Sequence, residues 1–293
     1  MPTARVIAEP ARLEASLEQA TAALARRGWA VAVAELLEHD GAVLQIGLPA
    51  GDAVAVREVL SQAFAPCDAL AAAGPIEPPQ LLVSDMDSTI IGQECIDELA
   101  DYAGLKPQIA AITERAMQGE LDFKAALRER VALLAGLEEA AITACLAERI
   151  RPTAGAGELV QTLKANGCRT VLVTGGFHHF ADAVADQLGF DRVVANRLAV
   201  TDGRLTGQLV GRIIGASAKA AVLVEERRQL GADSIVLALG DGANDAQMLK
   251  EADYGIAYHA KPAARQVANG AIDRGDLTSV VQLLGLSPTN MPT

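Results

Sequence analysis

Past residue 80 the apolar positions gather into three short continuous runs, Leu81–Ser84, Arg169–Val173 and Ser234–Leu239. Each run leads through a polar loop into a stretch of helical period. Short apolar runs alternating with helices predict buried strands of a parallel, doubly wound α/β sheet. Ligands of such sheets bind beyond the carboxyl ends of the strands. Between the first two runs the helical period returns four times, over Ile96–Ala103, Pro107–Gln118, Asp122–Leu134 and Glu138–Arg149. One crossover does not need four helices, so a helical cap is expected to be inserted at about residues 95–150. Farther on, Leu198–Thr201 and Arg204–Val210 flank Asp202-Gly203, the composition of a tight hairpin.

Before residue 75 the pattern differs. A strand near Arg5–Ala8 is followed by a helix over Ala11–Arg27, strands over Ala30–Leu37 and Ala42–Gly47, a helix over Ala53–Phe64 and a strand over Asp68–Ala72. The order β-α-β-β-α-β predicts a small α+β module of ferredoxin-like type. The Pro- and Gly-dense stretch Ala73–Pro79 then reads as a linker. The expected division is a small domain at 1–75, a linker at 76–80 and a catalytic-type domain at 81–287.

Composition narrows the function classes. The net charge of −12 argues against nucleic acid or an anionic membrane as the main partner, while leaving room for a small anionic ligand beside local cations. Cys67, Cys95, Cys145 and Cys168 are widely spaced, so neither a disulfide framework nor a zinc site is signalled. No signal peptide and no apolar run long enough to span a membrane is read, and a cytoplasmic location is expected.

The chemistry collects at the strand exits. Asp85-Met86-Asp87-Ser88-Thr89 carries two carboxylates two residues apart, which repel unless a hard cation such as Mg²⁺ lies between them. A solvated polar turn is the alternative for such a pair alone. Thr174-Gly175-Gly176 offers a hydroxyl and backbone donors to an anion at what reads as a helix N-terminus; an ordinary tight turn is the alternative. Gly240-Asp241-Gly242-Ala243-Asn244-Asp245 adds further hard oxygen ligands on a tightly folded loop. Lys219 begins a helix and, alone, reads equally well as a surface lysine.

Together the four segments resemble the motifs of the haloacid dehalogenase-like hydrolases in order and spacing, over about Leu81 to Leu284. That resemblance implies Asp85 as the nucleophile forming an aspartyl-phosphate and Asp87 as general acid and then base. It implies Mg²⁺ held by Asp85, the backbone carbonyl of Asp87 and Asp241. Thr174 and Gly175 would bind phosphoryl oxygens, Lys219 would balance charge beside Asp85, and Asn244 and Asp245 would order the phosphate and its surroundings.

Three longer stretches, DMDSTIIGQECIDELA, AMQGELDFKAALRERVALL and NRLAVTDGRLTG, resemble the phosphoserine phosphatase family within that superfamily. The likeness implies hydrolysis of O-phospho-L-serine, the closing step of serine biosynthesis. It implies Glu94 facing the substrate ammonium, Arg130 its carboxylate, and Met117 and Phe123 lining the pocket. Each of these four also has a plain structural reading as helix-terminal acid, surface ion pair or core. Two rival functions use the same residues or the same fold: a phosphotransferase delivering the phosphoryl group to another alcohol such as homoserine, and a non-catalytic amino-acid-binding regulator. The N-terminal module resembles small ACT-like regulatory domains, which implies amino-acid binding or a homodimer contact. His178, His179 and Trp29 are expected to be structural.

Overall fold

A computed structural model describes residues 1–39, 41–117 and 120–287. The N-terminal unit runs β1 (Thr3–Ile7), α1 (Leu13–Arg26), β2 (Val33–His39), β3 (Gly41–Gly47), α2 (Ala53–Ala63) and β4 (Asp68–Ala72). Ser16, Ala20 and Leu24 repeat every four residues and form the buried stripe of α1. The α2 helix starts where Asp52 accepts a hydrogen bond from the Ala55 amide at 2.9 Å. All strand pairs in this unit are antiparallel, and Trp29 packs at the edge of its core.

The second part begins with β5 (Leu81–Ser84), followed by the cap helices α3 (Cys95–Tyr102), α4 (Lys106–Met117), α5 (Phe123–Leu133) and α6 (Ala140–Arg149). It continues through α7 (Ala156–Ala165), β6 (Arg169–Phe177), α8 (His178–Leu188), β7 (Arg192–Thr201), β8 (Arg204–Val210) and α9 (Ala216–Leu230). It closes with β9 (Val236–Gly240), α10 (Ala246–Glu251), β10 (Tyr254–Tyr258), α11 (Pro262–Val267), β11 (Gly270–Ile272) and α12 (Thr278–Leu284). Strands β11-β10-β9-β5-β6-β7 are parallel neighbours, the doubly wound core expected from the apolar runs. Leu81, Leu82, Val83, Val171, Leu172, Val173 and Leu237 are fully buried, because helices cover both faces of a parallel sheet.

The β7–β8 hairpin turns at Asp202 and Gly203, both at positive φ as a two-residue hairpin turn demands. It also carries the cap. At Gly207 a Cβ would meet Ala135 Cβ at 2.9 Å and the Ala132 carbonyl at 3.1 Å, so β8 approaches the end of α5 more closely than a side chain permits.

The Ala73–Pro79 stretch does connect the two parts, but their sheets are continuous. Strand β4 pairs antiparallel with β11, giving one eleven-stranded order β2-β3-β1-β4-β11-β10-β9-β5-β6-β7-β8 among the described residues. Ile76 of the connecting stretch is buried in the same apolar cluster as Ile7, Val43, Leu70, Leu283 and Leu284. Three buried or half-buried charged side chains cross the seam. Asp68 accepts from the amides of Asp273 and Arg274 at 2.8 Å, from Gly275 at 3.0 Å and from the Ser279 hydroxyl at 2.8 Å. Arg57 donates to the carbonyls of Arg265 and Ala268, and Arg5 to that of Leu283. The Asp68→Ala variant leaves these buried amides without an acceptor. It is expected to lose about 3 kcal/mol of unfolding free energy, read from chemical denaturation.

Candidate active site

Strands β5, β6 and β9 run side by side, so their carboxyl ends open on one cavity of about 210 Å³. Asp85, Asp87, Glu94, Phe123, Arg130, Thr174, Gly175, Asp241 and Asn244 all line it. Residues from the three strand exits and from the cap, far apart in sequence, thus meet in one place. The Met117 side chain lies outside the described residues.

Asp85 is 3% exposed and its Oδ1 is held twice, by Lys219 Nζ at 2.7 Å and by the Met86 amide at 2.7 Å. Its other oxygen has no such partner among the described residues. Burial pushes the Asp85 carboxyl well above the usual range, against the pull of Lys219. Lys219 is completely buried, so the surface-lysine reading does not hold. Burial would lower its ammonium, but Asp85 and Asp245, at 2.7 Å each, together raise it above the ordinary value. Asp245 accepts from Lys219 through Oδ1 and from the amides of Asp241 and Gly242 through Oδ2. A Cβ on Gly240 would fall 2.5 Å from Asp245, which explains why glycine stands there.

Asp87 is pushed up to about 7, mainly by burial and next by the charge of Glu94, while Cys95 and Lys219 pull the other way. Its Oδ1 is buried without a partner among the described residues. Glu94 precedes α3 and accepts a hydrogen bond from the Ser88 hydroxyl at 2.9 Å. Ser88 adopts a positive φ of 54°, a strained conformation that aims its side chain at Glu94. Burial raises the Glu94 carboxyl, against this hydrogen bond and the charge of Lys261. Neither Ser88 nor Cys95 was expected from the sequence; both belong to the same segment as Asp85 and are recognisable only once Asp87 and Glu94 are seen to converge.

The second exit corrects an expectation. Thr174, Gly175 and Gly176 belong to the last turn-free part of β6, and the helix starts only at His178. A register irregularity between Val173 and Phe177 bends the strand end instead. Thr174, 1% exposed, accepts from the Gly176 amide at 2.8 Å, which leaves its hydroxyl proton to donate. At Gly176 a Cβ would lie 3.2 Å from both Asp87 Oδ2 and Thr174 Oγ1. Asn196 on β7 was missed. Its side chain donates to the Gly175 carbonyl at 2.8 Å and accepts from the Ile214 amide at 2.8 Å, tying the end of β6 to the segment that leads to Lys219.

From the cap, Phe123 reaches across to the core, where its ring would lie 3.2 Å from a Cβ on either Gly175 or Gly215. Arg130 extends from α5 into the cavity with its Nε buried and unpaired among the described residues. Burial lowers its guanidinium, partly offset by Asp97, Glu94 and Asp87. A half-buried guanidinium whose Nε has no partner among the described residues fits an anionic group on a ligand. His178 pairs with Asp182, and neither His178 nor His179 lines the cavity. Lys261, also missed, does line it, beside Asp241.

A divalent cation fits this set. Carboxylate oxygens of Asp85, Asp241 and Asp245 lie within 4.8 Å of one another, all on buried residues. Asp245 is already committed to Lys219 and the loop amides, which leaves Asp85 and Asp241 as the carboxylates with capacity to spare.

Comparison with known proteins agrees with the geometry. Residues 82–250 match the family model of the haloacid dehalogenase-like hydrolases. The chain is 45% identical over 210 residues to a phosphoserine phosphatase of Albidiferax ferrireducens, covering 70% of this chain and 89% of the relative. A haloacid dehalogenase family hydrolase from Salmonella enterica serovar Typhi superposes with a TM-score of 0.84 at 28% identity, over 97% of this chain and 99% of that one. An unliganded probable phosphoserine phosphatase from Vibrio cholerae gives 0.75 at 33% identity, over 97% and 86%.

Proposed function

We propose, since the chain belongs to the haloacid dehalogenase-like hydrolases and within them to the phosphoserine phosphatase family, that it hydrolyses O-phospho-L-serine to L-serine and phosphate. The observation that carries this reading is the Asp85 carboxylate. One oxygen is pinned by Lys219 and Met86, in the same cavity as an acid poised near neutrality, a free hydroxyl donor and an arginine whose Nε has no partner among the described residues.

The roles follow from the arrangement. The Asp85 oxygen without a hydrogen-bond partner attacks phosphorus in line, and the bond to the serine oxygen breaks. Asp87, protonated, gives its proton to that oxygen. In the second half Asp87, now a carboxylate, takes a proton from water as the water attacks the aspartyl-phosphate, releasing phosphate and regenerating both acids. Thr174 and the Gly175 loop hold the phosphoryl oxygens, with Asn244 beside them. Lys219 offsets the charge of the nucleophile throughout. Mg²⁺ would be held by Asp85, Asp241 and the Asp87 carbonyl, and would supply the positive charge that lets an anionic nucleophile meet an anionic phosphate. Glu94, oriented by Ser88, faces the substrate ammonium, and Arg130 its carboxylate.

A substrate panel tests the reading. Mg²⁺-dependent phosphate release should favour phosphoserine over phosphomonoesters that lack the amino-acid ends; release from those alone would discard the roles of Glu94 and Arg130. Arg130→Ala should raise KM for phosphoserine by roughly a hundredfold, the size of one desolvated charge-assisted contact, and affect phosphoethanolamine much less. The pH profile tests Asp87. As an acid held up to about 7 it is protonated below that value and loses its proton above it. On the wild type, kcat/KM should fall about tenfold per pH unit above that value. A profile flat to pH 9 would remove Asp87 from the acid role.

The N-terminal unit, residues 1–75, is assigned a homodimer contact through β2. This strand forms one edge of the sheet and leaves Val33 47% and Leu36 57% exposed. Sedimentation of wild type and Leu36→Lys tests this, with a dimer lost in the variant as the supporting result.

A further inference from the structure

Two lysines serve the acidic cluster, and they divide it. Lys219 is shared by Asp85 and Asp245 and is completely enclosed. Asp241 receives nothing from it. Instead Lys261, immediately before α11, holds Asp241 in two independent ways. Its backbone amide donates to the Asp241 carbonyl at 2.8 Å, and its ammonium lies 3.1 Å from Asp241 Oδ2.

These two holds differ in permanence. The amide bond is part of the backbone and survives any substitution except proline. The ammonium sits on a four-carbon stem that is 67% exposed, while the Asp241 carboxylate is 9% exposed. A compact, flexible ammonium of this kind can leave one oxygen for another with little structural consequence. Asp241 is also one of the two carboxylates with capacity for a divalent cation, so ammonium and dication claim the same oxygen atoms.

We propose that the Lys261 ammonium competes with Mg²⁺ for the Asp241 carboxylate and so makes Mg²⁺ bind more weakly than the carboxylates alone would. The inference rests on the reading of Asp241 as a metal ligand. It concerns a residue outside the four motif segments, on the strand-to-helix connection after β10.

The sign follows from charge. Two cations on one carboxylate repel, and the Lys261 ammonium lies 3.1 Å from Asp241 Oδ2, so it lowers the local gain from a dication. Removing only the ammonium leaves the amide hold on Asp241 intact. Mg²⁺ affinity should then rise, by roughly tenfold for a partly exposed charge at contact distance. The same removal takes a cation from the wall of a cavity that receives a phosphate, so KM should rise several-fold at saturating Mg²⁺ while kcat changes little.

The test is calorimetric titration of Mg²⁺ into the full chain without substrate, for wild type, Lys261→Met and Lys261→Arg. A Kd about tenfold lower in the methionine variant, with the arginine variant close to wild type, supports the proposal. An unchanged or higher Kd in Lys261→Met overturns it, because then the ammonium either does nothing or helps to build the site. Equal tightening in Lys261→Arg also overturns it, since charge was retained. Wild type that binds no Mg²⁺ would instead remove the metal reading on which the proposal stands, a result distinct from all three. Phosphate release measured on the same samples keeps the phosphatase reading separate from this one.

Discussion

Replacing Asp85 with asparagine is expected to abolish phosphate release from phosphoserine, by at least about a thousandfold, without weakening the fold. The two halves of this expectation have different causes. Activity is lost because an amide oxygen cannot form the aspartyl-phosphate. Stability is kept because burial already disfavours the charged carboxylate, and asparagine removes that unfavourable charge from a site with 3% exposure. Lys219 retains Asp245 as its anionic partner at 2.7 Å. Phosphate release and the denaturation midpoint of metal-free protein, measured together, check both. Residual turnover within tenfold of wild type would transfer the nucleophile to another residue. A marked loss of stability would mean that the Asp85–Lys219 pair supports the fold more than burial opposes it.

Lys219→Met is expected to fail on both counts. The substitution keeps the apolar stem but removes the single buried cation between Asp85 and Asp245. Two carboxylates then share a site that no water reaches easily. Breaking a buried ion pair from one side in this way costs about 3–5 kcal/mol. Catalysis also loses the charge that keeps Asp85 Oδ1 in place, so phosphate release should drop by at least about a hundredfold even in molecules that remain folded. Added Mg²⁺ should recover part of the stability, since a dication relieves the same repulsion, and thermal melts with and without it measure this. A Lys219→Met protein as stable as wild type in metal-free buffer would show that its neighbours shed their charge by taking up protons.

Much of the site was legible because each strand exit is local. Asp85 and Thr174 follow directly on apolar runs and Asp241 follows one residue later, and a chain that leaves a buried parallel strand must deliver its next polar residue to the sheet's carboxyl edge. The cap was legible for a similar reason: four helical periods between adjacent strands have nowhere else to go. What was not legible depends on convergence of distant segments. Asn196 reads as one polar residue in a strand, and only the approach of β7 to the Gly175 carbonyl and the Ile214 amide makes it a tie between two loops. Lys219 and Lys261 have the same chemistry in sequence. One is enclosed where α9 packs on the face of β5 and β6, and the other stays on a loop open to solvent.

The sequence by itself determined the order of the N-terminal elements, the three strands whose exits carry charge and the cap helices, because these are set by periodicity and by neighbours a few positions apart, and the resemblance of its motifs to a known family implied the reaction class; the short strands β10 and β11 were not read from it. Tertiary structure alone decided that the N-terminal unit continues the core sheet. The pairing of β4 with β11 joins residues about two hundred positions apart, and an edge strand carries no mark of the partner it will find. It also decided which carboxylate is held near neutrality and which is pinned. Burial and the distance to a second charge control both, and neither quantity exists until the chain has folded.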